Sequence, residues 1–355
     1  MGEENKKNIA FVIRKSAHGG GEILQQYLIR NLYNHGMGIH IITWSNVSLP
    51  NFTIPFVRHD LPRKSNGLFQ FISDLFILVN KLPRTGLDKI VLFGPSDRFI
   101  IASMFSKVKC VVSLRVDLRF PKNSHFLRYK RLFYFYLTDI IIFQTHRIVY
   151  DLPRKLRKKS IVIPNPCLHK LTSEKKNVIR KNIIVAIGRL SIEKRMNLII
   201  DAFGKLENSD WELRIYGEGP EKVALESYIE ERKLKDRVFL MGYTQNISDA
   251  LLEAKVFILA SVSEGMPNAL IDAMSHGLAC IAVEVPSGGT SELIVDNWNG
   301  ILIKGNDIRK KITENLRVLI NNKSDRLFIS RNAKSILVSH SSERIIAQWV
   351  NVLNK

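Results

Sequence analysis

Short apolar runs alternate with longer stretches of helical periodicity along most of the chain. Short continuous apolar runs are typical of strands that are buried on both faces of a parallel sheet. Between the runs, apolar residues recur at helical spacing, as in ILQQYLIRNLYNHG, where Gly36 marks the end. The first half is therefore predicted to be a parallel α/β sheet. Its predicted strands are NIAFVIR (8–14), IHIITW (39–44), KIVLFG (89–94), CVVSLRV (110–116), DIIIFQ (139–144) and SIVIPNP (160–166).

A second strand–helix series follows a polar, proline-containing segment without periodicity, IPNPCLHKLTSEKKN (163–177), which is typical of a domain linker. Two such series predict an α/β protein of two Rossmann-like doubly wound domains facing a cleft, with ligands at the carboxyl ends of the strands. The strands predicted in the second series are NIIVAIGRL (182–190), WELRIYGEGP (211–220), RVFLMG (237–242), VFILAS (256–261) and ACIAVE (279–284).

The domain boundaries follow from this pattern. We predict an N-terminal domain over residues 1–165 and a C-terminal domain over residues 166–335. Residues 336–355 are predicted to be a helix that packs back toward the N-terminal domain.

The segment SEGMPNALIDAMSHG (263–277) contains an unusual helix start. Pro267 suits a first helical turn, and Gly277 is a typical helix end. Glu264 then precedes the helix, while Asp272 lies about two turns inside it. A helix N-terminus attracts phosphate, and carboxylates accept hydrogen bonds from sugar hydroxyls. The spacing suggests a nucleotide sugar, with a hexose at Glu264 and a ribose at Asp272; an ordinary buried helix with one solvated acid is the alternative.

Two cations and a glycine-rich loop follow other predicted strands. In IGRLSIEKR (187–195), Arg189 and Lys194 are placed to clamp a diphosphate and neutralise a leaving nucleotide, although such residues are often simply solvated. In HGGGE (18–22), Gly19 and Gly20 allow the backbone to approach a ligand before a helix N-terminus. The loop does not match the dinucleotide fingerprint, which argues against a nicotinamide dehydrogenase.

The composition is that of an ordinary globular protein with one exception, its charge. Of the 355 residues 45% are hydrophobic, and the three cysteines form neither a metal pattern nor a disulfide framework, so we expect buried thiols in a reducing cytoplasm. No stretch is long and apolar enough to span a bilayer, and no signal peptide is expected. The net charge is +20, however, and residues 1–166 hold 26 lysines and arginines against 10 acids, a net +16.

An excess of cations in one half points to an anionic partner. FLRYKRLFYFY (126–136) and LPRKLRKK (152–159) interleave cations with aromatic and aliphatic residues, which favours a surface lying on anionic lipid. Nucleic acid and a merely solvated basic face are the alternatives.

Taken together, HGGGE, IPNPC, GRLSIEKR, YGEGP and SEGMPNALIDAMSHG resemble, in this order and spacing, the family-4 retaining glycosyltransferases of the GT-B fold. SLRVDLRFPKN (113–123) and VPSGGTSELI (285–294) are similar to the branch that includes amylovoran-type galactosyltransferases and N-acetylhexosaminyltransferases.

The resemblance implies a role for each residue that matches a family motif. Arg189 and Lys194 would hold the donor diphosphate, and Glu264 would contact the transferred sugar. Asp272 would bind the ribose, although the family usually has Glu there, which puts donor affinity in question. The remaining donor-side residues would be Gly19, Gly20, Gly265, Met266, Pro267 and Asn268.

On the acceptor side, many relatives carry a histidine where this chain has Arg115. Arg115 would bind phosphate and Asp117 would accept from the incoming hydroxyl; a structural ion pair between the two is the alternative. His18, His125 and His146 are interpreted as surface or packing residues.

The resemblance further implies the reaction: transfer of a hexose or N-acetylhexosamine from a UDP-sugar, with retention, to a lipid-linked or growing surface polysaccharide. Such an enzyme would work without metal or other cofactor, in the cytoplasm and peripherally at the inner membrane face, and would bind no nucleic acid. A non-catalytic basic protein on a degenerate transferase scaffold, binding membrane or nucleic acid, is the competing hypothesis.

Overall fold

A computed structural model describes residues 6–13, 20–62, 68–115, 117, 125–168, 179–207, 210–244 and 246–355. These residues form two compact units: unit 1 comprises Met1–Asn165 with Ser342–Lys355, and unit 2 comprises Pro166–Ser341. Each unit is built on its own parallel sheet.

The described part of unit 1 contains a seven-stranded sheet in the order β3-β2-β1-β4-β5-β6-β7. The strands are β1 (Asn8–Val12), β2 (Gly38–Trp44), β3 (Val57–Leu61), β4 (Lys89–Phe93), β5 (Lys109–Ser113), β6 (Ile140–Phe143) and β7 (Ser160–Val162). The helices before the linker are α1 (Gly20–Asn34), α2 (Leu68–Lys81), α3 (Asp97–Met104), α4 (His125–Leu137), α5 (His146–Tyr150) and α6 (Arg154–Arg157).

Unit 2 contains, in its described residues, a six-stranded sheet in the order β10-β9-β8-β11-β12-β13. The strands are β8 (Ile183–Ile187), β9 (Glu212–Tyr216), β10 (Val238–Gly242), β11 (Val256–Leu259), β12 (Ala279–Val283) and β13 (Ile301–Ile303). The helices are α7 (Met196–Gly204), α8 (Lys222–Glu231), α9 (Ile247–Glu253), α10 (Asn268–Ser275), α11 (Ile308–Asn321), α12 (Lys323–Ala333) and α13 (Ile336–Ser339).

The predicted fold class is confirmed, because both sheets are parallel and carry helices between their strands. Two of the strands, β3 and β13, were not predicted from the sequence. β3 has exposed positions at Val57, Arg58 and Asp60, so it lacks the apolar run of a central strand. β13 is only three residues long, although all three are buried. The three cysteines are buried and free, as expected.

The last helix, α14 (Ser342–Asn354), belongs to unit 1, so the chain returns to this unit after Ser341. Its Trp349 is fully buried and stacks on Phe93 at the end of β4, with 6.4 Å between ring centroids. The buried Lys89 donates to the backbone carbonyl of Leu353 at 2.6 Å, where a cation also complements the helix dipole. Burial lowers the pKa of the Lys89 ammonium, and the charges of Lys109 and Lys7 lower it further.

Within the described ranges, no helix is long and apolar enough to cross a membrane.

Candidate donor and acceptor sites

The candidate donor site lies in unit 2, where the strand order reverses between β8 and β11. Strands β9 and β10 extend from one side of β8 and strands β12 and β13 from the far side of β11. The loops leaving the carboxyl ends of β8 and β11 therefore meet at a switch point, which is where open α/β sheets bind ligands.

Lys194 and Glu264 occupy these two loops and contact each other. The Nζ atom of Lys194 lies 2.5 Å from Oε1 of Glu264, and both side chains are largely shielded, with 20% and 14% exposed. The hydroxyl of Ser261, a buried residue, donates to the same oxygen at 2.7 Å. Glu264 Oε2 receives no hydrogen bond from the described residues. One carboxylate oxygen of Glu264 is thus held in place, and the other remains available to accept a hydrogen bond.

A short 3₁₀ turn (Ile192–Lys194) positions Lys194 after β8. It ends at Arg195, whose φ of 53° is in the left-handed region, a conformation that non-glycine residues adopt at some cost. The backbone amide of Val262 donates to the carbonyl of Glu193 at 2.9 Å and joins the two loops. Partial burial alone would raise the pKa of the Glu193 carboxyl. Hydrogen bonds from its own backbone amide and from Ser191, together with the charges of Lys194 and Arg189, outweigh this effect, and the pKa is lowered.

Arg189 is exposed directly after β8, and its guanidinium makes no ion pair or hydrogen bond within the described structure. Its loop is held by the YGEG turn after β9. A Cβ atom on Gly217 would lie 1.9 Å from the carbonyl oxygen of Gly188, and one on Gly219 would lie 2.2 Å from that of Leu190. These glycines are therefore required for the close packing that sets the path of the Arg189 loop.

The segment after β12 supports the Glu264 loop in the same way. The hydroxyl of Ser287 donates to the carbonyls of Glu264 at 2.6 Å and Gly265 at 3.2 Å. A Cβ atom on Gly289 would lie 2.1 Å from the Gly265 oxygen. Ser261, Ser287 and Gly289 were not predicted as site residues. The Ser-Gly-Gly run that follows a predicted strand was the sequence feature that could have indicated Ser287 and Gly289.

Helix α10 begins one residue after Pro267, which is its N-cap and has no side chain able to cap the first turn. Asp272 was predicted to lie about two turns inside the helix; it is the fifth helical residue, slightly more than one turn in. Little side-chain surface is exposed in this loop and the first turn of α10. The buried residues are Gly265, Met266, Pro267 and Asp272, and Asn268 is half-buried. Gly277 ends the helix with a φ of +69°, as predicted.

The predicted acceptor-side residues lie in unit 1, after the carboxyl end of β5. Arg115 donates through Nη1 to Asn165, and Asp117, which is 3% exposed, lines a separate cavity of about 310 Å³. Both side chains are described, and they make no ion pair with each other. The rest of the cavity is lined by Arg128, Leu132, Ile148, Asp151, Leu152 and Pro153.

The glycine loop is described only in part. Gly20 is exposed at the start of α1, while Gly19 and His18 lie outside the described residues. His146 is exposed, and nothing is described of the His125 side chain. No group of three metal-ligating side chains is found in the described ranges.

Comparison with known proteins agrees with this geometry. The two units are the two Rossmann-like domains of the GT-B fold. Unit 2 further matches the family described as glycosyl transferases group 1, over residues 170–336. Those residues form a domain of that family.

Two relatives illustrate the range of the match. The amylovoran biosynthesis glycosyltransferase AmsD of Erwinia amylovora is 22% identical over 349 residues, 96% of this chain and 97% of its own. The poly(ribitol-phosphate) alpha-N-acetylglucosaminyltransferase of Staphylococcus aureus is 29% identical over 187 residues, 52% of this chain and 38% of its own.

Solved structures match nearly the whole chain. Anabaena Alr3699/HepE in complex with UDP and glucose superposes with a TM-score of 0.80 at 17% identity, covering 98% of this chain and 99% of its own. A mutant of S. aureus TarM in complex with Fondaparinux, alpha-GlcNAc-glycerol and UDP gives 0.79 at 15% identity, covering 98% and 100%.

Proposed function

We propose that this protein transfers a hexose or N-acetylhexosamine from a UDP-sugar, with retention of configuration, to a lipid-linked or growing surface polysaccharide. The observation that carries the proposal is the contact between Lys194 and Glu264 at the switch point of unit 2, inside the glycosyl transferases group 1 domain. Relatives named for amylovoran biosynthesis and for poly(ribitol-phosphate) glycosylation support a polymer of the cell surface as the product.

The donor diphosphate would be held by the exposed Arg189, by Lys194 and by the uncapped first turn of α10. As the bond between the sugar and the diphosphate breaks, negative charge grows on the leaving phosphate. Lys194, held by its contact with Glu264, stabilises that charge without reorganising, and Arg189 adds a second cation, so no metal ion is needed in this proposal.

Glu264 would recognise the transferred sugar through Oε2. Because Oε1 already accepts from Lys194 and Ser261, the carboxylate has a fixed orientation toward a hydroxyl group. The pair also links the two parts of the donor, since Lys194 contacts both the carboxylate and, in the proposal, the diphosphate. Asp272 is proposed to bind the ribose.

In unit 1, Asp117 would accept a proton or hydrogen bond from the incoming acceptor hydroxyl. The cavity beside it is of the size of small-ligand sites and combines apolar walls with a few polar groups.

An anionic membrane surface is the proposed location of the reaction. Helix α4 exposes four aromatic residues at helical spacing: Phe126, Tyr129, Phe133 and Tyr136 are 75%, 68%, 59% and 46% exposed. Phe135 is fully buried, so the run of aromatic residues is divided between core and surface. Exposed aromatic residues beside cations suit a helix lying at the boundary between headgroups and acyl chains.

Calorimetric titration with UDP, followed by incubation with UDP-hexoses and UDP-N-acetylhexosamines and analysis of the anomeric product, tests the proposal. We expect UDP binding, transfer with a retained anomeric configuration, and activity that persists in EDTA. Absence of UDP binding at millimolar concentration contradicts it. Lipid or nucleic-acid binding without turnover would instead support the non-catalytic alternative.

A further inference from the structure

Unit 1 contains a second polar cluster at the carboxyl edge of its sheet, which the proposed mechanism does not explain. Phe93 of β4 is in register with Ser113 of β5. Arg115 lies two residues after Ser113, the last residue of β5, and its guanidinium is over the Phe93 ring. Gln144 directly follows β6, and Trp349 of α14 stacks on the Phe93 ring. We call Ser113, Arg115, Gln144, Asn165 and Trp349 the Arg115 cluster.

The Arg115 guanidinium is held in the cluster from several sides. Its central carbon lies 5.1 Å from the ring centroid of Phe93 and 5.7 Å from that of Trp349, within the range of cation–π attraction. Nη1 donates to Asn165 Oδ1, and Gln144 Nε2 donates to the same oxygen at 2.7 Å. No carboxylate among the described residues forms an ion pair with this guanidinium.

Several polar atoms of the cluster are buried without any hydrogen-bond partner in the described structure. They are Ser113 Oγ, Arg115 Nε, Arg115 Nη2, Gln144 Oε1 and Trp349 Nε1. All but the Gln144 oxygen can donate, so the unsatisfied capacity is mainly for an acceptor. Burial lowers the pKa of Arg115 to about 9, which leaves the side chain a cation at neutral pH.

Unpaired buried donors and an uncompensated buried charge are both destabilising, and native proteins contain few of them. Nε and Nη2 of an arginine lie along one edge of the planar guanidinium. This edge is the fork that binds the two oxygens of a carboxylate or phosphate together. The free edge of Arg115 matches an oxyanion in its charge and in the geometry of its two donors.

We propose that the Arg115 cluster binds an oxyanion, a phosphate or a carboxylate. This inference rests on the proposed function: the anion is a group of the acceptor, so the enzyme selects an acidic or phosphorylated glycan. Arg115 is then a specificity residue, and its binding energy is used to align the acceptor.

The protein labelled with 5-fluorotryptophan tests this directly, because Trp349 reports from the cluster, Trp44 from β2 of the same unit, and Trp211 and Trp298 from unit 2. The probes are methyl phosphate, methyl glucuronide and, as a neutral control, methyl glucoside, at constant ionic strength set with chloride. We expect a saturable shift of the Trp349 fluorine signal, assigned with Trp349→Phe, with at least one charged probe. Tighter binding of methyl phosphate indicates a phosphate as the natural anion, and tighter binding of methyl glucuronide indicates a carboxylate.

Arg115→Met should weaken binding of the charged probe about tenfold or more, since a charged bidentate partner is lost. Arg115→Lys keeps the positive charge but not the two-donor edge, so its affinity for the charged probe should lie between those of the wild type and Arg115→Met. Both variants should bind UDP like the wild type, because Arg189 and Lys194 are unchanged. If Arg115→Met does not fold, the wild-type titration and Arg115→Lys still decide the proposal.

No Trp349 shift with either anion, or an equal shift with methyl glucoside, overturns the proposal. UDP binding is measured separately on the same sample. A protein that binds UDP but neither anion contradicts only the anion site. One that binds the anion but not UDP contradicts the proposed transferase instead.

Discussion

Lys194 Nζ lies 2.5 Å from Glu264 Oε1, although 70 positions separate the two residues along the chain. The contact joins the loops after two neighbouring strands, β8 and β11. It is shielded, supported by Ser261 and reinforced by the Val262–Glu193 backbone bond. A pair of this kind holds a cation and an acid in one geometry before a ligand arrives, which is what electrostatic stabilisation of a transition state requires.

Replacing either partner should reduce turnover much more than UDP binding. We expect Lys194→Ala and Glu264→Gln each to reduce kcat about a hundredfold, as loss of one preorganised group typically does. The kinetics of sugar transfer and calorimetry with UDP measure the two effects. The matched control is Lys181→Ala, because Lys181 pairs with Glu253 at 3.2 Å in the same unit, outside the candidate site. Wild-type turnover in Glu264→Gln would remove the role assigned to that residue.

Arg189 should matter for catalysis and not for stability. Its guanidinium is exposed and has no partner in the described structure, so Arg189→Ala should leave Tm within about 1 °C, given that surface changes away from such contacts cost little. Turnover should nevertheless fall about a hundredfold. Arg317→Ala, which removes an exposed arginine on α11, is the control. Equal kinetics in the two variants would argue that Arg189 is only solvated.

A histidine pair at the edge of the unit 1 sheet should make stability depend on pH. His40 Nδ1 lies 2.9 Å from His59 Nε2, and the rings stack with centroids 5.2 Å apart. Burial lowers the pKa of both side chains below 6.5, with further lowering from the charge of His59 on His40 and of Lys81 on His59.

Because the unfolded chain binds these protons more readily, this contribution to stability is complete above the unfolded pKa of 6.5. It is lost as the pH falls through the lowered folded values. Urea unfolding between pH 7.5 and 5 should show the decline in the wild type and a flatter profile in a His40→Phe, His59→Phe double variant. The same slope in both proteins would exclude the pair as its source.

Binding to anionic vesicles should depend on the free cations of α6 and the residues after it. Arg154, Lys155 and Lys158 are exposed, whereas Arg157 and Lys159 donate to backbone carbonyls and are poor choices for substitution. Replacing the three exposed cations with serine should weaken binding roughly a hundredfold, at about 1 kcal/mol each. Serine at Lys205, Lys310 and Lys323 of unit 2 is the control.

The aromatic residues of α4 should contribute the part of this binding that salt does not remove. At 1 M salt the Debye length falls to about 3 Å and the cations are screened. Sedimentation with vesicles should then detect residual binding in the wild type and none in a Phe126→Ser, Tyr129→Ser variant. Equal binding of the wild type to neutral and anionic vesicles would show that this face does not meet acidic lipid.

The alternation of apolar runs and helical periods was sufficient to predict both parallel sheets and the start and end of α10. Those features depend on local periodicity and on glycine and proline chemistry, which the sequence expresses directly. β3 was missed for the same reason: it is an edge strand with exposed, charged positions and so carries no apolar run.

The site residues could be named from the sequence, but their contacts depend on which strands are neighbours. Lys194 meets Glu264 because β8 pairs with β11. Gly217 is essential because the β9 turn packs against the β8 loop, and a turn pattern looks the same with or without such a neighbour. The unsatisfied edge of Arg115 exists because α14 returns to unit 1 and buries it under Trp349. Strand order and the side-chain contacts that α14 makes in unit 1 are set by the summed packing of distant segments. They were therefore decided only by the tertiary structure.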